Sequence, residues 1–538
     1  MSYKFDNITI VGGGSSGWMT AATFIKFFPN KNISIIESPD YPIVGVGEST
    51  LGQINIWKNL LEIEDKDFMK ETDGSYKMSI RFTDFYKKDF GGFHYPFGHS
   101  SYDENFCYMP KNDWFIKKAL YPETPVEDYA RTYFPSMPLI ENNRITDNKN
   151  GEYEEFNIEW DTAYHFDATK FGQWLKKNYC IPRGVNLIQD TVEKIELNDD
   201  GSIDKLLLKS GNIHKSDLYI DCTGFKSLLL GETLKEEFIS FNDILPNNKA
   251  WAVHLPYIDK EKELECFTNS TALSNGWCWN IPLWSRIGTG YVYSDKYITD
   301  DEALEEFKNY LMSNKVVIPR KKSEIDNLNY KNISMRVGIH KRTWVKNVVA
   351  IGLSAGFIEP LESNGLFTVH EFLLKLIKTL QRGDRFTQLD TDIYNVSTKE
   401  MFYEFSEFVA LHYSLSNRDD SKYWIENTRK SNRMLDDLLS RNVRPSNASL
   451  FLKWSKMNDN KFPIDALNGI ITVSAGMNFK PLEKIDLDYI KLSDKNNINF
   501  KEMIGKFSNG WNASYKKNNE KAMKCPSLYQ YLKDNIHN

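Results

Sequence analysis

The sequence predicts an α/β fold in which a β-α-β module comes first, β-rich segments follow, and the C-terminal part is mostly helical. Residues 7–28 read as an apolar strand, a glycine-rich turn and a helix with apolar residues at helical spacing. Short β-prone runs with turn signals fill the middle of the chain, and helical periodicity dominates from Gly365 to about residue 440. At 538 residues the chain is long enough for more than one packed unit.

The first module carries the glycine-rich turn of a dinucleotide site. The run NITIV leads into Gly12-x-Gly14-x-x-Gly17, and Ser15 and Ser16 open the helix that follows. Glycines permit a tight turn and close backbone approach, and the N-terminus of the helix favours a pyrophosphate. We therefore predict that these five residues contact a cofactor.

Two further elements point to FAD. The second strand, ISIIE, ends at Glu37, 20 residues after the last glycine, where an acid can accept ribose hydroxyls. DLYIDCTG at 217–224 is a strand with a small-residue turn and resembles the second dinucleotide-contact motif of FAD enzymes. Together they predict a Rossmann-like, monooxygenase-type FAD-binding module with inserted β-rich substrate segments.

Composition excludes several classes of function. A net charge of −6 argues against a nucleic-acid partner or an anionic membrane surface. Six cysteines lack CxxC spacing and nine histidines are dispersed, so no metal site is predicted. The N-terminal residues carry no leader pattern and no apolar run reaches the length of a membrane span. These features favour a cytoplasmic protein.

The stretch GWCWNIPLWSR at 276–286 raises a question of its own. Trp277 and Trp279 share one face of a predicted strand that Pro282 ends. Two such rings could form ordinary core or a wall beside a ligand. The pattern alone leaves both interpretations open.

The chain as a whole resembles the flavin-dependent halogenases, the family typified by tryptophan halogenases. The resemblance covers nearly all of residues 5–425. It is carried by GVGEST at 45–50, DGSYK at 73–77, HFD at 165–167, the W-x-W-x-I-P motif at 277–282, GLSAGFIEPLESNG at 352–365 and RDD at 418–420.

This resemblance implies a mechanism. FAD, as FADH2, would react with oxygen and a halide (chloride, bromide or iodide) to give hypohalous acid, which travels through a tunnel to a separate substrate site. Trp277, Trp279 and Pro282 would form the wall that keeps substrate from the flavin. Lys77 would receive the hypohalous acid, and Glu362 would take the proton that the aromatic ring loses.

The resemblance also implies a halide site and a flavin pocket. Backbone amides at Asn364 and Gly365 would bind the halide in a small anion nest. The family usually has Ser-Thr-Gly here, so the asparagine changes the pocket and could change halide preference. Four further residues would line the flavin by family position: Glu48, Val192, Leu353 and Leu366.

The substrate half departs from the tryptophan halogenases. Their C-terminal cover holds the amino-acid ammonium and carboxylate, but residues 470–472 are Ile-Ile-Thr. A buried charge without a partner costs several kcal/mol, which argues against free tryptophan. A neutral aromatic such as an indole or phenol derivative fits better, with Tyr95 and Phe97 as candidate aromatic clamps.

Several expectations concern organisation and alternatives. Residues 1–390 would form the FAD-binding core with interleaved substrate segments, and 391–538 a mostly helical cover. The sequence shows no motif for nicotinamide binding. The resemblance implies that a separate flavin reductase supplies FADH2 and that the chain forms a homo-oligomer. An FAD-dependent aromatic hydroxylase and a non-catalytic flavin-binding protein are the alternatives, but neither accounts for the W-x-W-x-I-P motif with Lys77 and Glu362.

Overall fold

The computed structural model describes residues 2–40, 48–98, 100, 113–428, 464–480, 487–488 and 499–538, so Gly45 to Gly47 of the GVGEST motif lie outside it. The strands are β1 (Ser2–Lys4), β2 (Asn7–Val11), β3 (Asn32–Glu37), β4 (Ser75–Lys77), β5 (Ser79–Thr83), β6 (Gly92–Pro96), β7 (Ala163–His165), β8 (Asn186–Gln189), β9 (Val192–Leu197), β10 (Ile203–Leu208), β11 (Ile213–His214), β12 (Leu218–Asp221), β13 (Phe238–Ser240), β14 (Lys249–Leu255), β15 (Phe267–Ala272), β16 (Gly276–Pro282), β17 (Ile287–Tyr293), β18 (Lys331–Ser334), β19 (Gly338–His340), β20 (Trp344–Val345), β21 (Val348–Ala350), β22 (Gly356–Phe357) and β23 (Arg385–Thr387).

The α-helices connect and cover these strands. They are α1 (Ser15–Phe27), α2 (Ile54–Leu60), α3 (Asp65–Phe68), α4 (Asp113–Leu120), α5 (Asp128–Tyr133), α6 (Met137–Glu141), α7 (Ala168–Trp174), α8 (Lys260–Glu263), α9 (Asp300–Met312), α10 (Lys322–Ile325), α11 (Gly365–Leu380), α12 (Gln388–Ser414), α13 (Lys422–Asn427), α14 (Ile464–Gly476), α15 (Phe500–Ala522) and α16 (Leu528–Leu532).

A six-stranded sheet forms the cofactor half of the molecule. Its order is β20-β21-β12-β2-β3-β8, and all neighbours are parallel except β20 and β21. The connection β2-α1-β3 is the β-α-β unit that the sequence predicts. Both predicted dinucleotide motifs follow neighbouring strands, β2 and β12, so the carboxyl ends of these strands bring them together. The α/β, Rossmann-like prediction is confirmed.

A seven-stranded sheet carries the tryptophan motif. Its order is β18-β14-β17-β16-β15-β5-β6, and only β15 and β5 pair in parallel. The predicted W-x-W-x-I strand is β16, and Pro282 is its last residue. Trp279 lies opposite Gly290, where a Cβ atom would come within 2.1 Å of its ring. Glycine therefore makes the space in β17 that the indole occupies.

The short pair β4-β7 lies beside the two large sheets and places Lys77. The strands are antiparallel, with Lys77 opposite Ala163 and Ser75 opposite His165. All six residues of the pair are buried. Lys77 therefore reaches the interior from a strand, and its position is fixed by backbone pairing on one side.

Two sequence predictions can be located in the structure: the domain boundary at residue 390 and the polar insertion at 141–155. Residue 390, the predicted boundary between core and cover, falls inside α12, and the division into 1–390 and 391–538 stays a prediction. The polar sequence of residues 141–155, ENNRITDNKNGEYEE, predicts a solvated loop or hairpin. They do form mostly turns, but Ile145 and Tyr153 are fully buried, because the loop packs its apolar side chains into the main core.

Within the described ranges, no helix combines the length and apolar character needed to cross a lipid bilayer.

The turn after β2 depends on the absence of a side chain. At Gly12, φ is +118° and a Cβ atom would lie 2.3 Å from the carbonyl oxygen of Cys222. We expect Gly12→Ala to lower the free energy of unfolding by about 2 kcal/mol or more and to weaken FAD binding, because both backbone segments must shift. Urea unfolding and flavin titration measure the two effects. Gly52→Ala is the control, since its Cβ would meet only an ordinary contact at 3.7 Å; equal behaviour of the two variants would contradict the prediction.

Candidate active site

A cavity of about 620 Å³ opens at the carboxyl ends of the parallel strands. It runs from the glycine-rich turn to the tryptophan strand and the start of α11. Nine of the ten residues that the sequence predicts for cofactor binding line it: Gly12, Gly14, Ser15, Ser16, Glu37, Glu48, Val192, Leu353 and Leu366. Gly17 is not on the cavity surface; a Cβ there would lie 1.9 Å from the carbonyl oxygen of Gly12, so this glycine lets α1 pack against the turn.

The cavity fits a dinucleotide. No side chain caps the N-terminus of α1, so its first N–H groups and its dipole face the glycine-rich end. At the lining residues Gly224 and Gly365 an added Cβ would meet nothing within 4 Å, which leaves free space along the wall. Glu37 lies at the pocket edge and pairs with Lys176 at 3.0 Å, which holds the carboxylate at the expected ribose position.

Glu48 lies in the lining of the cavity, where an ion pair holds its carboxylate in place. Its carboxylate is buried and contacts Arg286 at 2.7 Å, and the same guanidinium contacts Asp167 of the HFD motif at 3.0 Å. Burial raises the pKa of Glu48 to about 6, although Arg286 opposes the rise. Asp167 also caps α7 through the amide of Lys170. The HFD motif is therefore a structural support for the cavity wall.

The tryptophan strand forms one side of the cavity. Trp277, Trp279 and Ile281 line it, and the two indole rings lie 6.3 Å apart at 60°. Trp277 is fully buried and its Nε1–H donates to Glu359 at 2.5 Å. Pro282, predicted as part of the wall, lies outside the lining, where its carbonyl accepts a hydrogen bond from Ser75 at 2.7 Å.

Lys77 is fully buried just beyond the cavity. Its Nζ donates to the carbonyl of Thr50 and to Oγ of Ser363, both at 2.9 Å, and lies 5.0 Å from the centre of the Phe97 ring. Burial lowers the pKa of Lys77 well below its usual value, and the charge of Glu362 opposes this in part. Ser363 also lines the cavity, so one residue touches both compartments.

Glu362 faces a histidine that the sequence analysis did not find. Its Oε1 lies 2.9 Å from Nε2 of His412, and both side chains are fully buried. The two groups are not aligned as a hydrogen bond, and neither carboxylate oxygen has an aligned partner among the described residues. Sequence reasoning had no signal for His412, because it lies 50 positions away on α12 in an otherwise ordinary helical pattern.

A second buried acid, Glu359, was also missed. Its Oε1 accepts hydrogen bonds from Trp277, from Asn247 at 2.7 Å and from the hydroxyl of Tyr413. Burial raises the pKa of Glu359, although these donors oppose the shift. The only sequence feature that could have pointed to Glu359 is its position next to Pro360 in the motif GLSAGFIEPLESNG.

The predicted halide turn has an unusual backbone. Ser363 has φ of +58°, and its N–H donates to the carbonyl of Pro360 at 3.0 Å. Asn364 and Gly365 begin α11, where first-turn amides have no acceptor within the helix. Gly365 lines the cavity, whereas the Asn364 side chain turns away and donates to the carbonyl of Glu359 at 3.0 Å.

The substrate side is covered by α14. At Gly469 an added Cβ would lie 2.7 Å from the hydroxyl of Tyr95, and at Gly476 it would lie 2.1 Å from the ring of Phe93, so the helix rests directly on β6. Tyr95 and Phe97 pack edge to face, 6.4 Å apart. The replaced positions 470–472 are buried, and the described side chains of this cover, at 469–476, are apolar apart from the hydroxyls of Thr472 and Ser474.

No group of three or more potential metal-ligating side chains occurs in the part of the chain that the structure describes. The described site consists of a cavity with the features of a dinucleotide site, two tryptophans that line one side of it, and a buried lysine and glutamate outside its lining. Fold and site together define a flavoprotein with an FAD-binding module of the monooxygenase type.

Comparison with known proteins places the chain within that class. The tryptophan halogenase family model matches residues 7–478. The chain is 32% identical over 439 residues to tryptophan 6-halogenase SttH of Streptomyces toxytricini, covering 78% of this chain and 80% of that protein. It is 31% identical over 441 residues to tryptophan 7-halogenase RebH of Lentzea aerocolonigenes, covering 79% of each.

Solved structures agree with this result. The structure of VirX1 without ligands is 37% identical, has a TM-score of 0.88, and is matched over 99% of this chain and 100% of that chain. The chain belongs to the tryptophan halogenase family and is a flavin-dependent halogenase. Members of this family depend on a flavin and a halide, and generally require a separate flavin reductase and an aromatic substrate.

The environment of Glu48 gives a pH-dependent prediction. Its folded-state pKa of about 6 exceeds the ordinary 4.5, so the folded protein binds this proton more tightly than the unfolded chain does. The contribution of Glu48 to the free energy of unfolding therefore falls by about 2 kcal/mol as pH rises through this window. We expect Glu48→Gln to lack this loss, so its stability relative to wild type should rise between pH 4.5 and 6. Urea unfolding across that range is the measurement, and a constant difference would contradict the prediction.

Proposed function

We propose that this halogenase makes hypohalous acid in the FAD cavity and transfers it through Lys77 to a neutral aromatic substrate of indole or phenol type. Free tryptophan is not the proposed substrate. The observation that carries the proposal is the position of Lys77: it is fully buried, it adjoins Glu362, and it is joined to the cavity through Ser363.

FAD is the proposed cofactor, and reduced FAD with oxygen supplies the two-electron oxidation that converts a halide into hypohalous acid. The glycine-rich turn and the N-terminus of α1 would hold its pyrophosphate, and Glu37 its ribose. The amides at Asn364 and Gly365 would hold the halide at the opposite end of the cavity. A separate flavin reductase would supply the reduced cofactor.

The wall separates oxidation from substitution. Trp277 and Trp279 cover the cavity, and Glu359 fixes the Trp277 indole by accepting its N–H at 2.5 Å. Substrate beyond this wall could not approach the cofactor, whereas a small acid could pass at Ser363. This geometry supports halogenation over direct hydroxylation.

Lys77 suits the transfer because it can serve as a donor or a nucleophile. As an ammonium it would donate a hydrogen bond to hypohalous acid, and as a neutral amine it could form a haloamine. Burial favours the neutral form. Glu362 would then accept the proton that leaves the ring carbon as the C–H electron pair restores aromaticity. The unaligned carboxylate oxygens leave it free to do so.

The cover over the substrate side supports the choice of substrate. Tyr95 and Phe97 offer ring faces, and the residues of α14 above them include buried Ile470 and Ile471. A free amino acid would bring an ammonium and a carboxylate under a helix whose described side chains, at 469–476, include two hydroxyls but no charged group, at a cost of several kcal/mol for each unpaired charge. An uncharged indole or phenol avoids that cost.

The direct test is a reconstituted assay with FAD, NADH, an unrelated flavin reductase, oxygen and bromide, with pooled indoles, phenols and tryptophan. We expect brominated indole or phenol, recognised by its paired isotope pattern in mass spectra, with catalase and enzyme-free controls.

Lys77→Ala should abolish this product while flavin oxidation continues, because transfer is lost but oxidation is not. Lys118→Ala removes another buried lysine, one that donates to Thr124, and should retain product. Product from Lys77→Ala would overturn the assigned role.

The wall gives a second prediction. Trp279→Ala should remove the ring that lies across Gly290 and lower halogenation about tenfold or more, with the lost oxidising equivalents recovered as hydrogen peroxide or hydroxylated substrate. The yield of each product per NADH consumed measures this. Trp160→Ala, at a tryptophan that is 56% exposed, is the matched control. An unchanged yield of halogenated product in the Trp279 variant would mean that this ring is core and not wall.

A further inference from the structure

His412 occupies a position next to Glu362 that the proposed mechanism does not use. It lies in the last turn of α12, is fully buried, and has its Nε2 atom 2.9 Å from Oε1 of Glu362. Phe82, Phe85 and Phe408 surround its ring at centroid distances of 4.6, 6.4 and 5.5 Å. This aromatic box keeps water from the pair.

Hydrogen-bond geometry fixes which nitrogen of His412 carries a proton. Nδ1 lies 3.2 Å from the carbonyl oxygens of both Phe408 and Val409. A carbonyl only accepts, so Nδ1 is the donor and carries hydrogen. Nε2 then lies 2.9 Å from Oε1 of Glu362, which is no longer than a van der Waals contact. Two lone pairs at 2.9 Å would repel, so either Nε2 or the facing carboxylate oxygen carries a second proton.

The hydrogen bonds of Lys77 favour a neutral amine. A neutral amine has two N–H groups, and the carbonyl of Thr50 and Oγ of Ser363 accept both. An ammonium would bring a third N–H, for which the described contacts offer the face of the Phe97 ring at 5.0 Å but no third aligned oxygen acceptor. The neutral form leaves the nitrogen lone pair free for a haloamine.

Lys77, Glu362 and His412 form a buried triad of titratable side chains. We infer that His412 is a positioning residue that serves, as an imidazolium, as the counter-ion of Glu362, so that Glu362 stays ionised while Lys77 remains a neutral amine. This inference rests on the proposed roles of Lys77 and Glu362. Without His412, Lys77 is the remaining cation for the carboxylate, and an ion-paired ammonium has no lone pair to attack hypohalous acid.

The other groups around the triad are consistent with this assignment. The C-terminal end of α12 carries a negative dipole that favours a cation in its last turn. From β7, His165 does not supply that cation, because burial lowers its pKa well below the usual value. Glu359, on the turn before Glu362, is held by the neutral donors Trp277, Asn247 and Tyr413.

The test is a pH titration of Lys77 in the resting protein. Lysine labelled with ¹³C at Cε is incorporated, the Lys77 resonance is assigned by its loss in Lys77→Arg, and its chemical shift is followed by NMR. In wild type we expect Lys77 to titrate below the surface lysines. In His412→Leu the midpoint should rise by about one pH unit or more, since the positive neighbour is gone and Glu362 needs a cation.

Two further variants keep the test decisive if His412→Leu folds poorly. His412→Lys retains a cation beside Glu362 and should restore the low midpoint, which a purely structural role of the ring would not do. Tyr394→Phe, a buried change elsewhere on α12, should leave the midpoint unchanged. A Lys77 midpoint that is the same in wild type, His412→Leu and His412→Lys would overturn the inference.

Activity separates this inference from the proposed function. In His412→Leu, halogenation should fall at pH 7 and recover toward higher pH, while flavin oxidation is unaffected. Retained halogenation in Lys77→Ala would refute the proposed function, yet the titration of the resting protein would still report whether His412 sets the protonation of Lys77. A His412→Leu activity profile that coincides with wild type across pH would overturn the role given to His412.

Discussion

The burial of Lys77 is the constraint on which the rest of the site depends. An amine taken out of water is held where its hydrogen-bond acceptors are fixed, and here these are a backbone carbonyl at Thr50 and the hydroxyl of Ser363. The first comes from the segment after the second strand of the cofactor sheet, and the second from the turn before α11. The Nζ atom of Lys77 therefore connects these two segments, which are far apart in the sequence.

The turn at 359–365 links every part of the chemistry. Glu359 accepts the N–H of Trp277, Glu362 faces His412, Ser363 contacts the lysine, and Gly365 lines the cofactor cavity. Helix α12 contacts this turn through two consecutive side chains. His412 lies against Glu362, and the hydroxyl of Tyr413 donates to Glu359. Because the groups lie within seven residues, a shift of the turn would change oxidation and transfer together.

The aromatic strand combines core packing with contact to the cofactor cavity and to the turn at 359–365. Trp277 is as buried as any core residue, yet its N–H is held by an acid of the active turn and its neighbour Trp279 faces the cavity. Gly290 on β17 leaves room for the second ring. The same residues thus fill space in the seven-stranded sheet and line the cofactor cavity, so the stability of the sheet and the shape of the cavity depend on one set of contacts.

The sequence by itself determined the cofactor half, because a glycine turn, its strand and the acid after the next strand are local signals set by backbone geometry. Lys77, Glu362 and the two tryptophans were reachable through family motifs. His412 and the role of Glu359 were not, since a histidine inside a helical pattern carries no mark of what it faces. Only the tertiary structure placed α12 against the turn, because that contact joins residues 50 positions apart through packing and desolvation, which no local pattern encodes.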